Sequence, residues 1–180
     1  MSEDEVVGKL LENKIRVWKN YDEIYSEKYY GKKFEDHLEL SPSEAMHLVD
    51  REDLVVKKDE KELSKEELYD IFCNMDDEFP QKYSVYSDLR ERGFIVKSGF
   101  KFGTHFRVYP RGVNPYKEGP KTQKEHTKWV VHAVPEDYTL SYQEMSRAVR
   151  LAQNIRATML WAVVDSEKNV VYYEFERIKP

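Results

Sequence analysis

Lys128-Trp-Val-Val-His-Ala-Val134 and Met159-Leu-Trp-Ala-Val-Val164 are two short apolar runs rich in Val and Trp, and between them Ser141-Tyr-Gln-Glu144 opens a basic helix that runs to about Arg156. Runs of this length and composition read as strands. Ser141 followed three residues later by Glu144 has the form of a capping box, in which each side chain bonds the other's backbone N–H. Upstream lie two more strand-like runs, Phe94–Lys97 and Phe100–Tyr109. Downstream, Asp165-Ser-Glu-Lys-Asn169 reads as a hairpin turn into a last strand, Val170–Ile178. The predicted class is α/β (α+β), with a mixed C-terminal sheet flanked by helices.

The N-terminal half is read as a small α+β region. Short alternating runs over Val6–Tyr30, such as Ile15-Arg-Val-Trp18, predict antiparallel strands with turns at Asn20 and Gly31. Ser41-Pro-Ser-Glu44 and Ser64-Lys-Glu-Glu67 each predict a helix start, the first strengthened by Pro in its first turn. Pro80 breaks the second helical pattern, Tyr83, Val85, Tyr86 and Leu89 form a further helical face, and Gly93 is its expected C-cap. The boundary between an acidic domain 1–80 and a basic domain 81–180 is expected near Asp76–Lys82.

Charge separates the halves. Residues 1–80 hold 12 Lys/Arg against 23 Asp/Glu, a net −11, while residues 81–180 hold 17 against 11, a net +6. A basic half can gather a polyanion even though the whole chain is −5. The acidic start, Met1-Ser-Glu-Asp-Glu5, and the absence of a long apolar run predict neither secretion nor membrane insertion. Cys73 is the only cysteine, so no internal disulfide or cysteine zinc site can form, which fits a cytoplasmic protein. Cys73 itself is read as core packing.

Chemistry concentrates in the basic half. Tyr109 ends the Phe106-Arg-Val-Tyr109 run, and His126 stands just before the next strand in Lys124-Glu-His126. A phenol, an imidazole and fixed cations are the parts needed to cleave RNA without a metal. Gly112–Glu125 holds two prolines and two glycines, which makes it a loop, and Lys117, Lys121 and Lys124 make it basic. Its length suggests a functional segment.

Five ordered blocks resemble the archaeal tRNA-splicing endonucleases (tRNA-intron lyases). They are YSVYSDLRERGFIVKSGFKFGTHFRVYPRG (83–112), KEH (124–126), RAVRLAQNIR (147–156), WAVVD (161–165) and VVYYEFERIKP (170–180). LSPSEAMHLV (40–49) and LSKEELYD (63–70) match more weakly. The resemblance implies cleavage of precursor tRNA at bulge-helix-bulge intron borders, leaving 2′,3′-cyclic phosphate and 5′-hydroxyl ends, with no cofactor. It implies Tyr109 as the base that takes the 2′-hydroxyl proton and His126 as the acid that protonates the leaving 5′-oxygen. A histidine value of about 6.5 suits that donation, whereas a phenol near 10 needs nearby cations to serve as a base. The family's third residue is a lysine facing the charge on the phosphoryl oxygens, and at its position this chain carries Ala157.

Three readings of Ala157 are open. It is an engineered Lys→Ala change, it marks a weakened subunit that works beside a competent one, or another cation substitutes, with Arg156 and the loop lysines as candidates. The first is preferred, since Tyr109 and His126 remain while one side chain is truncated. The resemblance also implies that Arg150 and Arg177 contact RNA, stacking on bases or forking onto phosphates. It implies that Asp165 and Glu167 form an acidic turn entering another subunit, and that the final strand lies at a dimer interface. The expected assembly is a homotetramer or dimer of dimers, or a hetero-oligomer with a second subunit type. Two alternatives stand beside the endonuclease reading: a non-catalytic RNA-binding subunit of the same assembly, and a metal-dependent nuclease with Asp165, Glu174 and Glu176 as Mg²⁺ ligands. His105 and His132 are read as structural or surface residues.

Overall fold

The computed structural model describes residues 5–99 and 103–180. The chain divides into two compact units, Met1–Tyr83 and Ser84–Pro180, with the division inside one helix, α4 (Phe79–Glu91).

Among the described residues the first unit builds one mixed six-stranded sheet. Strands β1 (Val7–Leu11) and β2 (Lys14–Val17) form a hairpin, and β5 (Val55–Lys58) adds in parallel to β1. Strands β3 (Lys32–Lys33), β4 (Leu38–Leu40) and β6 (Lys61–Glu62) complete it in the order β3-β4-β2-β1-β5-β6. The all-strand expectation for Val6–Tyr30 is corrected in two ways. A further turn, between β1 and β2, falls at Glu12, whose φ is +55°, while the chain turns as expected at Asn20 and Gly31, with φ +60° and +72°. Asp22–Ser26 is a short helix, α1, stabilised at its start by acidic Asp22 and Glu23 against the helix dipole.

Helices α2 (Pro42–Asp50) and α3 (Lys65–Met75) start as predicted, each with a complete capping box. Glu44 does more than cap: it is buried, and its second oxygen accepts from the Gly31 N–H at 2.9 Å. The break expected at Pro80 is present, α3 ending at Met75 and a new helix starting at Phe79. Pro80 sits in the first turn of α4, where its missing N–H has no intrahelical partner to lose. Cys73 is only half-buried, on α3, so it is not a core residue.

The second unit carries a mixed five-stranded sheet in the order β11-β10-β9-β8-β7. Its strands are β7 (Ile95–Ser98), β8 (Phe106–Tyr109), β9 (Trp129–Pro135), β10 (Thr158–Val164) and β11 (Val170–Phe175). All neighbours are antiparallel except β9 and β10, which α5 (Tyr142–Asn154) connects as a crossover. The expected strand Phe100–Tyr109 begins only at Phe106. Residues 100–102 lie outside the described residues, and Gly103 is in a turn with φ +64°. The last strand ends at Phe175, short of Ile178. Gly93 caps α4 with φ +87°, as its sequence position predicts.

Met145, Ala148, Val149 and Ala152 recur at i, i+3, i+4 and i+7, so one face of α5 is apolar. That face packs with Val130, Val134, Ala157, Met159 and Trp161. Burying each larger side chain contributes roughly 1.5–3 kcal/mol. The expected capping box of α5 forms by half. Ser141 accepts from the Glu144 N–H at 3.1 Å, while the Glu144 carboxylate is taken by the Tyr138 hydroxyl. No helix among the described residues is long and apolar enough to cross a membrane.

Candidate active site

The C-terminal end of α5 places Ala157. Arg156 adopts a left-handed φ of +58°, its N–H bonds Gln153 O at 3.0 Å, and the Ala157 N–H bonds Ala152 O at 2.9 Å. This is a Schellman closure, with arginine in the position that glycine favours. It turns the chain directly into β10, so residue 157 sits at the entrance of that strand.

Strand register then gathers one edge of the sheet. Val108 pairs with Trp129 and Trp129 with Thr158, while Met159 pairs with Phe175. Continued one residue past the β8–β9 and β9–β10 pairs, the registers align Tyr109, Lys128 and Ala157 in one row on three neighbouring segments. Backbone bonds fix the middle of the row: the Lys128 N–H donates to Val108 O at 2.8 Å, and Lys128 O accepts from the Thr158 N–H at 3.0 Å. With strands about 4.8 Å apart, Tyr109 and Ala157 are roughly 10 Å apart across the row. Alternation along the strands puts Tyr109, Arg107 and Ala157 on the sheet face that α5 covers.

Tyr109 is buried, at 5% exposure. The Arg107 guanidinium donates to its hydroxyl at 3.3 Å and lies 6.0 Å from its ring centroid. Arg107 is itself anchored by Nε donating to Ser98 O at 2.9 Å. His126 ends a 3₁₀ turn, Gln123–Glu125, and its side chain is half-buried two residues before Lys128. Ala157, at 8% exposure, lines an open pocket of about 240 Å³ with Gln153, Thr158, Glu176 and Arg177 among others. Arg177 therefore shares a pocket with Ala157, on the β11 side of it. Arg150 is exposed on α5 next to the pocket-lining Val149 but does not itself line the pocket.

The loop lysines are not equivalent. Lys117 is held by Glu125 at 2.5 Å, and Lys121 reaches Pro115 O at 3.4 Å. Lys124 is exposed. The Lys117 ammonium, aided by the Thr122 N–H, holds the Glu125 carboxyl down at about 2. Lys97 donates to the Tyr116 hydroxyl at 2.8 Å and ties the loop to β7. Thus Gly112–Glu125 is a folded loop with internal pairs and one 3₁₀ turn.

Asp165 is occupied by its own turn. It accepts from the Glu167 N–H at 2.9 Å, the Asn169 N–H at 2.9 Å and the Asn169 side-chain amide at 3.0 Å. The bonds from Asn169, and then that from Glu167, hold its carboxyl below the ordinary range. Glu167 is exposed at the tip of the turn. This geometry overturns the Mg²⁺ triad. Glu174 pairs with Leu160, whereas Asp165 follows the Val164–Val170 pair four residues along, roughly 13 Å away. Glu174 instead accepts from the Trp129 indole at 3.3 Å. Among the described residues no group of three or more His, Cys, Asp or Glu could hold a metal ion. His105 is structural, its Nδ1 accepting from the Ala133 N–H at 3.0 Å.

Two residues that the sequence did not single out lie beside Tyr109: Arg107, which bonds its hydroxyl, and Lys128, its neighbour in the row. Arg107 had a signal, since its i−2 position places it on the same strand face as Tyr109. Lys128 had none, because its place depends on two neighbouring strands.

Two family models match the chain. The tRNA intron endonuclease catalytic C-terminal domain covers residues 79–172, and the tRNA intron endonuclease N-terminal domain covers residues 6–69. The tRNA-splicing endonuclease of Thermococcus onnurineus is 42% identical over 161 residues, covering 89% of this chain and 88% of its own length. That of Methanothermobacter thermautotrophicus is 36% identical, covering 87% of each. That of Methanosarcina mazei is 38% identical over 94% of this chain, which matches only 47% of that longer protein. On the strength of both domain matches and of relatives aligned over most of its length, this chain belongs to the tRNA-splicing endonuclease family.

Proposed function

We propose that the chain is a subunit of an endonuclease that cuts precursor tRNA at bulge-helix-bulge intron borders. The observation that carries the reading is the row at the sheet edge, where Tyr109 and the Ala157 position share a face with His126 close by in sequence to the strand between them. In the proposed step Tyr109, as phenolate, takes the 2′-hydroxyl proton. The 2′-oxygen forms its bond to phosphorus as the P–O5′ bond breaks, and His126 gives its proton to the 5′-oxygen. The products are a 2′,3′-cyclic phosphate and a 5′-hydroxyl, with no metal in the step. Arg107, which donates to the Tyr109 oxygen, orients that oxygen toward the substrate.

The family lysine is absent at Ala157, so the transition state lacks one preorganised charge, a loss of typically about 10²–10³ in rate. In this reading Arg150 and Arg177 contact RNA, and Lys124 leads the loop's contribution because Lys117 and Lys121 have partners within the loop. Asp165 shapes the turn that presents Glu167 to another subunit. The basic region 81–180 carries RNA and chemistry, and the acidic region 1–80 serves assembly into a homotetramer, dimer of dimers or hetero-oligomer.

Cleavage of a bulge-helix-bulge RNA in excess EDTA, comparing the chain with its Ala157→Lys variant, tests the reading. Cyclic-phosphate ends from the variant at a far higher rate are the expected result. A second reading, a non-catalytic RNA-binding subunit, is favoured by Ala157 itself. It prevails if both proteins bind the RNA and neither cuts.

A further inference from the structure

We propose that Lys128 is the catalytic cation of this chain, facing the phosphoryl oxygens in place of the side chain that Ala157 lacks. The inference rests on the assignment of Tyr109 and His126 above, and it differs from it in naming a residue outside the three family positions.

Position is the first argument. Lys128 lies in the row between Tyr109 and Ala157, one strand spacing from each, and its backbone is bonded to both neighbouring strands through Val108 O and the Thr158 N–H. A phosphate attacked beside Tyr109 and once served from position 157 must lie over this row. The four-carbon stem of a lysine reaches farther than one strand spacing of about 4.8 Å, so the ammonium can meet that phosphate from the centre of the row.

Availability is the second. The Lys128 side chain is exposed, and its ammonium rests 4.0 Å from the Trp129 ring centroid. Lys128 is exposed although Trp129 is half-buried, so a phosphate anion, with full charge and charge-assisted hydrogen bonds, can draw the ammonium from the ring. Three other cations of the region are committed or displaced, and Arg156, beside Ala157 at the end of α5, lies one strand farther from Tyr109 than Lys128 does. Arg107 is spent on Ser98 O and the Tyr109 hydroxyl. Lys117 is paired with Glu125. Arg177 lines the pocket on the far side of Ala157 from Tyr109. Lys128 is the cation at the row position next to Tyr109, and its ammonium, resting over Trp129 on the opposite sheet face, must swing across to meet the phosphate.

The test is a double-mutant cycle on the full-length chain. Single-turnover cleavage of bulge-helix-bulge RNA at saturating protein, and RNA affinity, are measured for the chain, Lys128→Ala, Lys128→Arg, Ala157→Lys and the double variant Lys128→Ala with Ala157→Lys. With Ala157 in place, Lys128→Ala is expected to lower the rate about 10-fold or more, and Lys128→Arg to keep most of it. With Ala157→Lys present, the same Lys128→Ala change is expected to cost less than about 3-fold, because the restored ammonium makes Lys128 redundant. An equal loss in both backgrounds, or none in either, overturns the inference, since a structural or general RNA-binding lysine behaves that way. No cleavage by the chain with Ala157, beside strong cleavage by Ala157→Lys, also overturns it while leaving the endonuclease reading intact. Failure of every protein to cut RNA that it binds removes both.

Discussion

The Arg107 guanidinium reaches the Tyr109 hydroxyl at 3.3 Å from two residues earlier on the same strand. Because Arg107 is fixed at Ser98 O, it holds a positive charge beside the phenol without needing RNA to order it. In an Ala157→Lys background, Arg107→Ala should lower the cleavage rate by roughly 10²-fold with a smaller change in RNA affinity, and Arg107→Lys should recover part of it. Rates and affinities measured together decide this: a loss confined to affinity would make Arg107 a simple RNA contact.

Arg156 stands in a left-handed conformation at the end of α5. For a residue with a Cβ this costs about 1 kcal/mol, which glycine avoids. Arg156→Gly should therefore raise unfolding stability by up to that amount in denaturant titration. If cleavage falls at the same time, the arginine is retained for RNA; if stability falls, the helix-end account is wrong.

The Lys117–Glu125 pair should respond to acid in a defined window. The folded Glu125 carboxyl is held from its ordinary 4.5 down to about 2 by Lys117 and Thr122. A depressed carboxyl contributes to stability above its unfolded value and loses that contribution as pH falls. The clasp should thus persist at pH 5 and open as the pH drops from about 4.5 toward about 2. Carboxyl carbon NMR of Glu125 reads this directly, and Lys117→Ala should return its titration toward 4.5. Titration near 4.5 in the unaltered chain would refute the clasp.

Loop lysines divide by partner. Lys124→Ala should weaken RNA binding and reduce the slope of log affinity against log salt by about one charge. Lys117→Ala should do less, because that ammonium already has a carboxylate. Affinities between low and moderate salt check the order, and an unchanged slope for Lys124→Ala would exclude phosphate contact there.

Met159 is fully buried beneath α5. Met159→Ala should lower unfolding stability by roughly 2–5 kcal/mol through lost burial and a residual cavity. Denaturant midpoints with the slope monitored provide the check; a change below 1 kcal/mol would mean that α5 does not pack as described.

The sequence by itself determined the capped helices α2 and α3, the C-cap at Gly93, the mixed class and the family, because caps, periodicity and ordered blocks are local signals. By resemblance it also proposed Tyr109 and His126 as catalytic and Ala157 as the position of the family's lysine. It did not determine α1 or the two- and three-residue strands β3, β4 and β6, which are too short to carry a period and exist only through their partners. It left Asp165, Glu174 and Glu176 plausible as one metal site, which register separates along the hairpin. Only tertiary structure decided that Tyr109, Lys128 and Ala157 form one row, since that depends on the pairing of three strands and on the left-handed turn at Arg156. Strand pairing is a relation between distant segments, and no single segment encodes which neighbour its backbone will meet.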